Sequence, residues 1–199
     1  MTGDIKLLRG CESEPREAWE NTLRPGKEEH YMDLGAYTGD TIAEFIGYAG
    51  EWRRITALEP DPVTFAKLER NTAGLHDCIL YRLGAYSRYA RLPFAGGVGR
   101  GSHLAAGGAM TELDSVDNIL CGQTVSLINM DVEGMEAEAI AGMAKTLRRH
   151  RPKLLIAGYH RSEDLWRLPL EVLAIQPEYK VYVRHYPCLP AWDVNFYFV

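Results

Sequence analysis

Short apolar runs alternate along this chain with segments in which apolar residues return every three or four positions. Runs at 30–35, 53–58, 78–83, 124–131, 153–159, 179–185 and 193–198 have the length and composition of strands. Between them, Ile42, Phe45, Ile46 and Ala49 recur at i, i+3, i+4 and i+7, and so do Ile140, Met143, Ala144 and Leu147. Each of these segments therefore reads as a helix with one apolar face. Arg148, Arg149 and His150 suit the negative end of the second helix, and Pro152 marks its stop. In 162–175, Ser162 is placed to cap a helix that Pro169 should kink or restart.

Strands alternating with helices predict an α/β fold, a mostly parallel sheet with helices on both faces. The last two strands are separated by only about six residues, too few for a crossover helix, so they pair antiparallel or lie apart. Residues 1–28 are polar and end in RPGKEE, with one helix around Ser13 to Leu23, and read as a lead-in or cap to a domain spanning 29–199. The stretch AGGVGRGSHLAAGG, 95–108, has almost no bulky side chain to bury. It is expected to be a mobile loop, either ordered by a ligand or a solvated spacer.

Composition narrows the class. With 199 residues and 46% hydrophobic content, one full core is the default. A net charge of -5 with dispersed Lys and Arg leaves no footprint for a nucleic-acid backbone. Cys11, Cys78, Cys121 and Cys188 form no CxxC pair, which favours reduced thiols over a zinc site or redox dithiol. MTGDIKLLRG lacks the apolar core of a signal peptide, and no apolar run suits a membrane span, so a soluble cytoplasmic protein is expected.

The candidate chemistry starts at YMDLGAYTGD, where a strand runs into a glycine turn and then a helix. Such a turn sits at the carboxyl edge of the sheet, where open α/β sheets bind ligands. Gly35 and Gly39 give G-x-x-x-G rather than the three-glycine dinucleotide fingerprint, and no lysine follows Gly39 as a P-loop needs. Asp33 and Asp40 flank the turn and would repel a pyrophosphate while attracting a cation. Twenty residues after Gly39, the next strand ends in Glu59 and Pro60, where an acid can accept hydrogen bonds from both ribose hydroxyls. A nucleoside with positive charge and no phosphate is S-adenosylmethionine. Two glycines in such a turn can also serve tight packing alone.

These residues resemble the FkbM-type methyltransferases, within the class I S-adenosylmethionine-dependent fold. The resemblance rests on YMDLGAYTGDTIAEF, ITALEPDPVTFAKLERN, LGAYSRYARLPF, LINMDVEGMEAEAIAGMAKTL, RPKLLIAGYHRSEDLWRLPLEVL and YKVYVRHYP, in order over most of 30–187. It implies a Rossmann-like three-layer sandwich whose seven-stranded sheet has the order 3-2-1-4-5-7-6, the seventh strand antiparallel. It assigns Asp33, Gly35, Ala36 and Gly39 to the methionine end of the cofactor, Glu59 to the ribose, Ala85 and Tyr86 to the adenine, and Asp131 to Glu133 to the neighbourhood of the methyl group. Asp40, Pro60 and Ser102 complete the expected cofactor contacts. Met135 departs from the family pattern, in which small residues are commoner.

An alcohol acceptor must lose a proton, which calls for a base or a metal at the ends of the fourth and fifth strands. His160 is the first candidate, with Glu133 and Asp131 beside it; His160 could instead hold the turn, and Glu133 could serve the next helix N-terminus. The same three residues would suit magnesium or manganese, but no dense ligand motif supports a metal, and none is counted among the expectations. His185 and His103 are further acceptor-side candidates, Arg184 reads as a substrate anchor or an ion-pair partner, and Trp166, Tyr182 and Tyr186 as stacking or core residues. The reading is an O-methyltransferase for a small molecule or glycan, with no nucleic-acid or membrane partner and a homodimer left open. The rivals are a nicotinamide-dependent oxidoreductase, which lacks the third glycine and any Tyr-x-x-x-Lys pair, and a non-catalytic cofactor-binding module.

Overall fold

Seven of the strands form one sheet in the order β10-β11-β9-β8-β1-β2-β3 in the computed structural model, which describes residues 13–95, 103–104, 109–186 and 193–199. The members are β1 (His30–Leu34), β2 (Arg54–Leu58), β3 (Cys78–Tyr81), β8 (Leu127–Met130), β9 (Lys153–Ala157), β10 (Val181–His185) and β11 (Val194–Phe198). Counted along the chain within this sheet, the order is 3-2-1-4-5-7-6. β11 runs antiparallel to both β9 and β10, and every other pairing is parallel. The strands β10 and β11 form an antiparallel pair, one of the two arrangements that the short link allows.

The alternation of side chains along the central strands divides the core into two layers. Tyr31, Ile55 and Leu127 point to one face, where they meet Phe45 of α2 (Asp40–Ala49) and Leu68 of α3 (Pro62–Thr72). Met32, Ile128 and Ile156 point to the other, under Ile140 of α5 (Glu136–Gly142), Leu147 of α6 (Ala144–His150) and Leu168 of α7 (Asp164–Ile175). Removing a side chain such as Phe45 from water contributes about 1.5–3 kcal/mol. The amino-terminal segment joins the first layer: α1 (Pro15–Glu17) runs on as a π-helix, Ala18–Leu23, that buries Trp19 and Leu23.

Three features depart from the sequence pattern. The helix built on Ile140 and Leu147 is broken at Met143 (φ -116°, ψ 15°) into α5 and α6. Gly142 there lies so close to Tyr86 that a Cβ would fall 1.9 Å from its carbonyl oxygen. Pro169 does not break α7, which is continuous through it; the carbonyl deprived of its partner belongs to Leu165, which is exposed to water. Ser162 is not the cap, a position held by Glu163 without a side-chain bond, while Asp164 accepts from the Arg161 N–H.

A second sheet, in the order β4-β7-β5-β6, was not foreseen; it comprises β4 (Gly84–Ala85), β5 (Ala90–Ala95), β6 (His103–Leu104) and β7 (Ala109–Asp114), followed by α4 (Val116–Leu120). Part of the stretch 95–108 thus pairs in a sheet, where a loop was expected, and the rest, including Ser102, lies outside the described residues. Among the described residues no helix is long and apolar enough to cross a membrane.

Candidate active site

The carboxyl ends of β1, β2, β8 and β9 converge, and the predicted chemistry gathers in two corners of that edge. At the first corner β1 ends and the N–H groups of Gly35 and Ala36 both donate to Leu58 O of β2, at 3.0 and 2.9 Å. Gly35 (φ 85°) faces the end of β8 so closely that a Cβ would lie 1.9 Å from Asp131 O. Gly39 (φ 89°) starts α2 in the left-handed region, which glycine alone enters without cost. Both glycines are thus required by backbone geometry.

Asp33 lies fully buried under this turn. Thr41 Oγ1 donates to its Oδ2 at 2.5 Å, Tyr31 OH donates to the same oxygen at 3.3 Å, and Asn129 Nδ2 donates to Oδ1 at 2.9 Å. Asn129 sits directly across the β1–β8 ladder from Asp33. Burial outweighs these three donors and pushes the Asp33 carboxyl up to about 6. Glu59 accepts from the Tyr37 N–H at 3.0 Å and the Asp61 N–H at 2.9 Å, one to each oxygen, which leaves further lone pairs on both. Burial lifts its carboxyl to about 7. Asp61 caps α3 by accepting from Val63 and Thr64, so the Glu59–Asp61 bend is fixed from both sides.

The second corner joins the end of β8 to the end of β9. His160 Nε2 stands 3.4 Å from Asp131 Oδ1 and 3.5 Å from Glu133 Oε2, and its Nδ1 is 2.9 Å from Glu136 Oε1. Glu136 is buried and its Oε1 also accepts from the Val132 and Gly134 N–H groups, which ties the β8–α5 turn together. Glu133 (φ 53°) and Gly134 (φ 88°) are both left-handed there. Tyr159 OH donates to Asp131 Oδ2 at 2.9 Å. Burial alone would lower the His160 imidazole, but the hydrogen bond and charge of Glu136, with Asp131 and Glu133 beyond, lift it to about 8. The surrounding carboxylates thus favour its protonated form.

The other predicted residues lie around and beyond these corners. Ala85 is buried in the core, and Tyr86 donates its N–H to Asp114 O. Asp40 is exposed and Pro60 half-buried. Arg184 is an ion-pair partner, bound to Glu17 at 2.8 Å, and Tyr186 is buried with its hydroxyl 2.6 Å from that of Tyr197. Trp166 and Tyr182 are exposed, and Cys78 and Cys121 are free thiols. Sequence reasoning missed Thr41, Asn129, Glu136 and Tyr159. Asn129 alone left a signal, as a polar residue inside an apolar strand.

The sequence profile of the Methyltransferase FkbM domain matches residues 33–182, more than half of the chain. Among proteins of curated function no sequence matches significantly. Among solved structures, the methyltransferase FkbM from Methylobacillus flagellatus KT superposes with a TM-score of 0.83 at 27% identity, over 98% of this chain and 50% of that one. The chain thus spans half the length of that relative. Aeropyrum pernix fibrillarin with bound S-adenosyl-L-methionine (TM-score 0.61, 14% identity, 92% of this chain and 71% of that one) shares the fold. So does a Streptococcus thermophilus rRNA methylase (TM-score 0.60, 13% identity, 94% and 95%). Together with the 3-2-1-4-5-7-6 sheet and the two corners at its carboxyl edge, the match places this chain in the FkbM methyltransferase family.

Proposed function

We propose that the protein binds S-adenosylmethionine and transfers its methyl group to a hydroxyl oxygen of a small molecule or glycan. The observation that carries this reading is the juxtaposition of the glycine turn beside Glu59 with the carboxylate–imidazole group at the neighbouring strand end. Family membership and the S-adenosylmethionine in the fibrillarin of the same fold support it.

The residues fit the cofactor. Gly35, Ala36 and Gly39 would take its methionine end, Glu59 its ribose hydroxyls and Tyr86 its adenine side, with Asp33 bracing the turn from beneath. Carboxylates at both corners suit a sulfonium and disfavour a pyrophosphate. When bound, the cofactor supplies a methyl group on a good leaving group, so alignment and exclusion of water supply much of the catalysis. The acceptor hydroxyl still has to lose its proton. Asp131 and Glu133 would draw it off, with the His160 imidazole between them and Glu136 and Tyr159 holding that group in place. A net charge of -5 speaks against a polyanionic acceptor such as RNA.

Calorimetry with S-adenosylmethionine and S-adenosylhomocysteine tests the first half, and folded protein that gives no binding heat at millimolar ligand would sink it. Transfer of isotope-labelled methyl to a panel of hydroxylated sugars and small molecules tests the second half. Label appearing on nitrogen alone would overturn the choice of oxygen.

A further inference from the structure

Three side chains from two strand ends bring one ligand atom each to a common point: Asp131, Glu133 and His160, all within 4.8 Å of one another. We propose that these residues form a divalent-cation site of the magnesium or manganese class at the acceptor end of the cleft. The site deepens the methyltransferase reading and takes its catalytic meaning from it.

Spacing is the first support. An ion held at about 2.0–2.1 Å from octahedral ligands sets adjacent ligand atoms about 3 Å apart and opposite ones about 4 Å apart. The separations from His160 Nε2, 3.4 Å to Asp131 Oδ1 and 3.5 Å to Glu133 Oε2, are close to the adjacent spacing, and side-chain rotations would bring these pairs onto it.

Orientation is the second. A metal-bound imidazole nearly always gives its other ring nitrogen to a carboxylate or carbonyl, which fixes the tautomer and aims the lone pair. Glu136 occupies that place, buried to 1% exposure and 2.9 Å from His160 Nδ1, and is itself anchored by two backbone N–H groups. Asp131 is oriented in the same way, its second oxygen accepting from Tyr159 OH. Two of the three ligands thus have a dedicated outer partner on the side away from the common point.

The donor set decides the class of ion. Two carboxylates and one imidazole without a thiol favour hard or borderline cations, and the described free thiols, Cys78 and Cys121, lie elsewhere. Side chains of Asp131 and Glu133 are 37% and 29% exposed, so the remaining coordination positions open to water and to an incoming hydroxyl. Such an ion lowers the pKa of a bound hydroxyl, so that the proton leaves more readily as the acceptor oxygen approaches the methyl group.

Manganese(II) titrated into chelator-treated protein without cofactor tests the proposal, read by electron paramagnetic resonance and calorimetry. One ion per chain is expected, with affinity lowered at least tenfold by Asp131→Asn and by Glu133→Gln and unchanged by Glu112→Gln on β7. Glu133→Gln, on the exposed side, keeps the test decisive if Asp131→Asn does not fold. No binding at millimolar manganese, or binding insensitive to both changes, overturns the site. Because the readout needs no S-adenosylmethionine, a failure of cofactor binding would sink the methyltransferase reading and leave this result standing.

Discussion

Asp33 and Glu59 carry their carboxylates among neutral donors, a threonine, an asparagine, a tyrosine and two backbone N–H groups, whereas Asp131, Glu133 and Glu136 crowd around one imidazole. Burial therefore raises both carboxyls of the first corner, to about 6 and about 7, and the carboxylates of the second raise His160 to about 8. The first corner sets its two carboxyls among neutral donors alone, and burial there favours their protonated forms until a ligand arrives. The second already holds a positive charge between its acids. A cofactor with a sulfonium suits the former, and an ion that replaces a proton suits the latter.

Gly35 against Asp131 O is a close approach between the two corners, and breaking it should have the largest effect. Gly35→Ala would put a Cβ 1.9 Å from that oxygen and hold alanine at φ 85°. The left-handed conformation alone costs about 1–2 kcal/mol, and the overlap must also spread β1 from β8. Thermal denaturation should show a Tm lower by more than about 4 °C, and calorimetry a loss of cofactor binding. An unchanged Tm would mean that the two strand ends part freely and that the corners are independent.

That contact also marks the limit of what the sequence reveals. The first corner was legible because Asp33, Gly35 and Gly39 lie within one short stretch, and the parallel β1–β2 register carries Glu59 to their side. Strand order was readable from the family resemblance and the short final link. The second corner is assembled across the gap from β8 to β9, and nothing in GMEAEAIAG distinguishes Glu136 from a solvent-facing acid in a first helical turn. Its side-chain partner is His160, 24 residues further on. The small sheet escaped notice because β7 is largely exposed and β5 contains Pro93, so neither shows an apolar run.

Glu136→Gln sharpens the comparison at the second corner. Glutamine keeps an oxygen for the Val132 and Gly134 N–H groups but removes the charge that faces His160 Nδ1. Loss of an outer partner of this kind costs about 10–100-fold in metal affinity. Manganese titration should show that drop, while calorimetry shows cofactor affinity within error of the parent. A parallel loss of cofactor affinity would assign Glu136 to the turn as a whole rather than to His160.

At the first corner, Glu59→Ala removes the acceptor assigned to the ribose. The expected weakening of S-adenosylmethionine is about 1–3 kcal/mol, or roughly five- to a hundredfold in Kd. Manganese affinity should stay put. An unchanged cofactor Kd would take Glu59 out of the site and leave it as a brace for Tyr37 and Asp61.

The smallest effect is a fraction of a proton, and it tests the contrast in charge most directly. Glu59 stands at about 7 in the ligand-free protein, against an ordinary 4.5. Because the folded value is the raised one, its contribution to folding stability is full below the ordinary value and is lost as pH rises through 7. Ribose hydroxyls that donate to the carboxylate favour its charged form and pull the value down. At pH 7 about half of the molecules would then release a proton on binding, and cofactor affinity should fall as pH drops below 7. Binding heats in two buffers of different ionisation enthalpy would report the release, and Glu59→Gln should abolish it. Equal heats in both buffers for the parent protein would mean that Glu59 keeps its protonation state, so that the first corner answers its ligand no differently from the second.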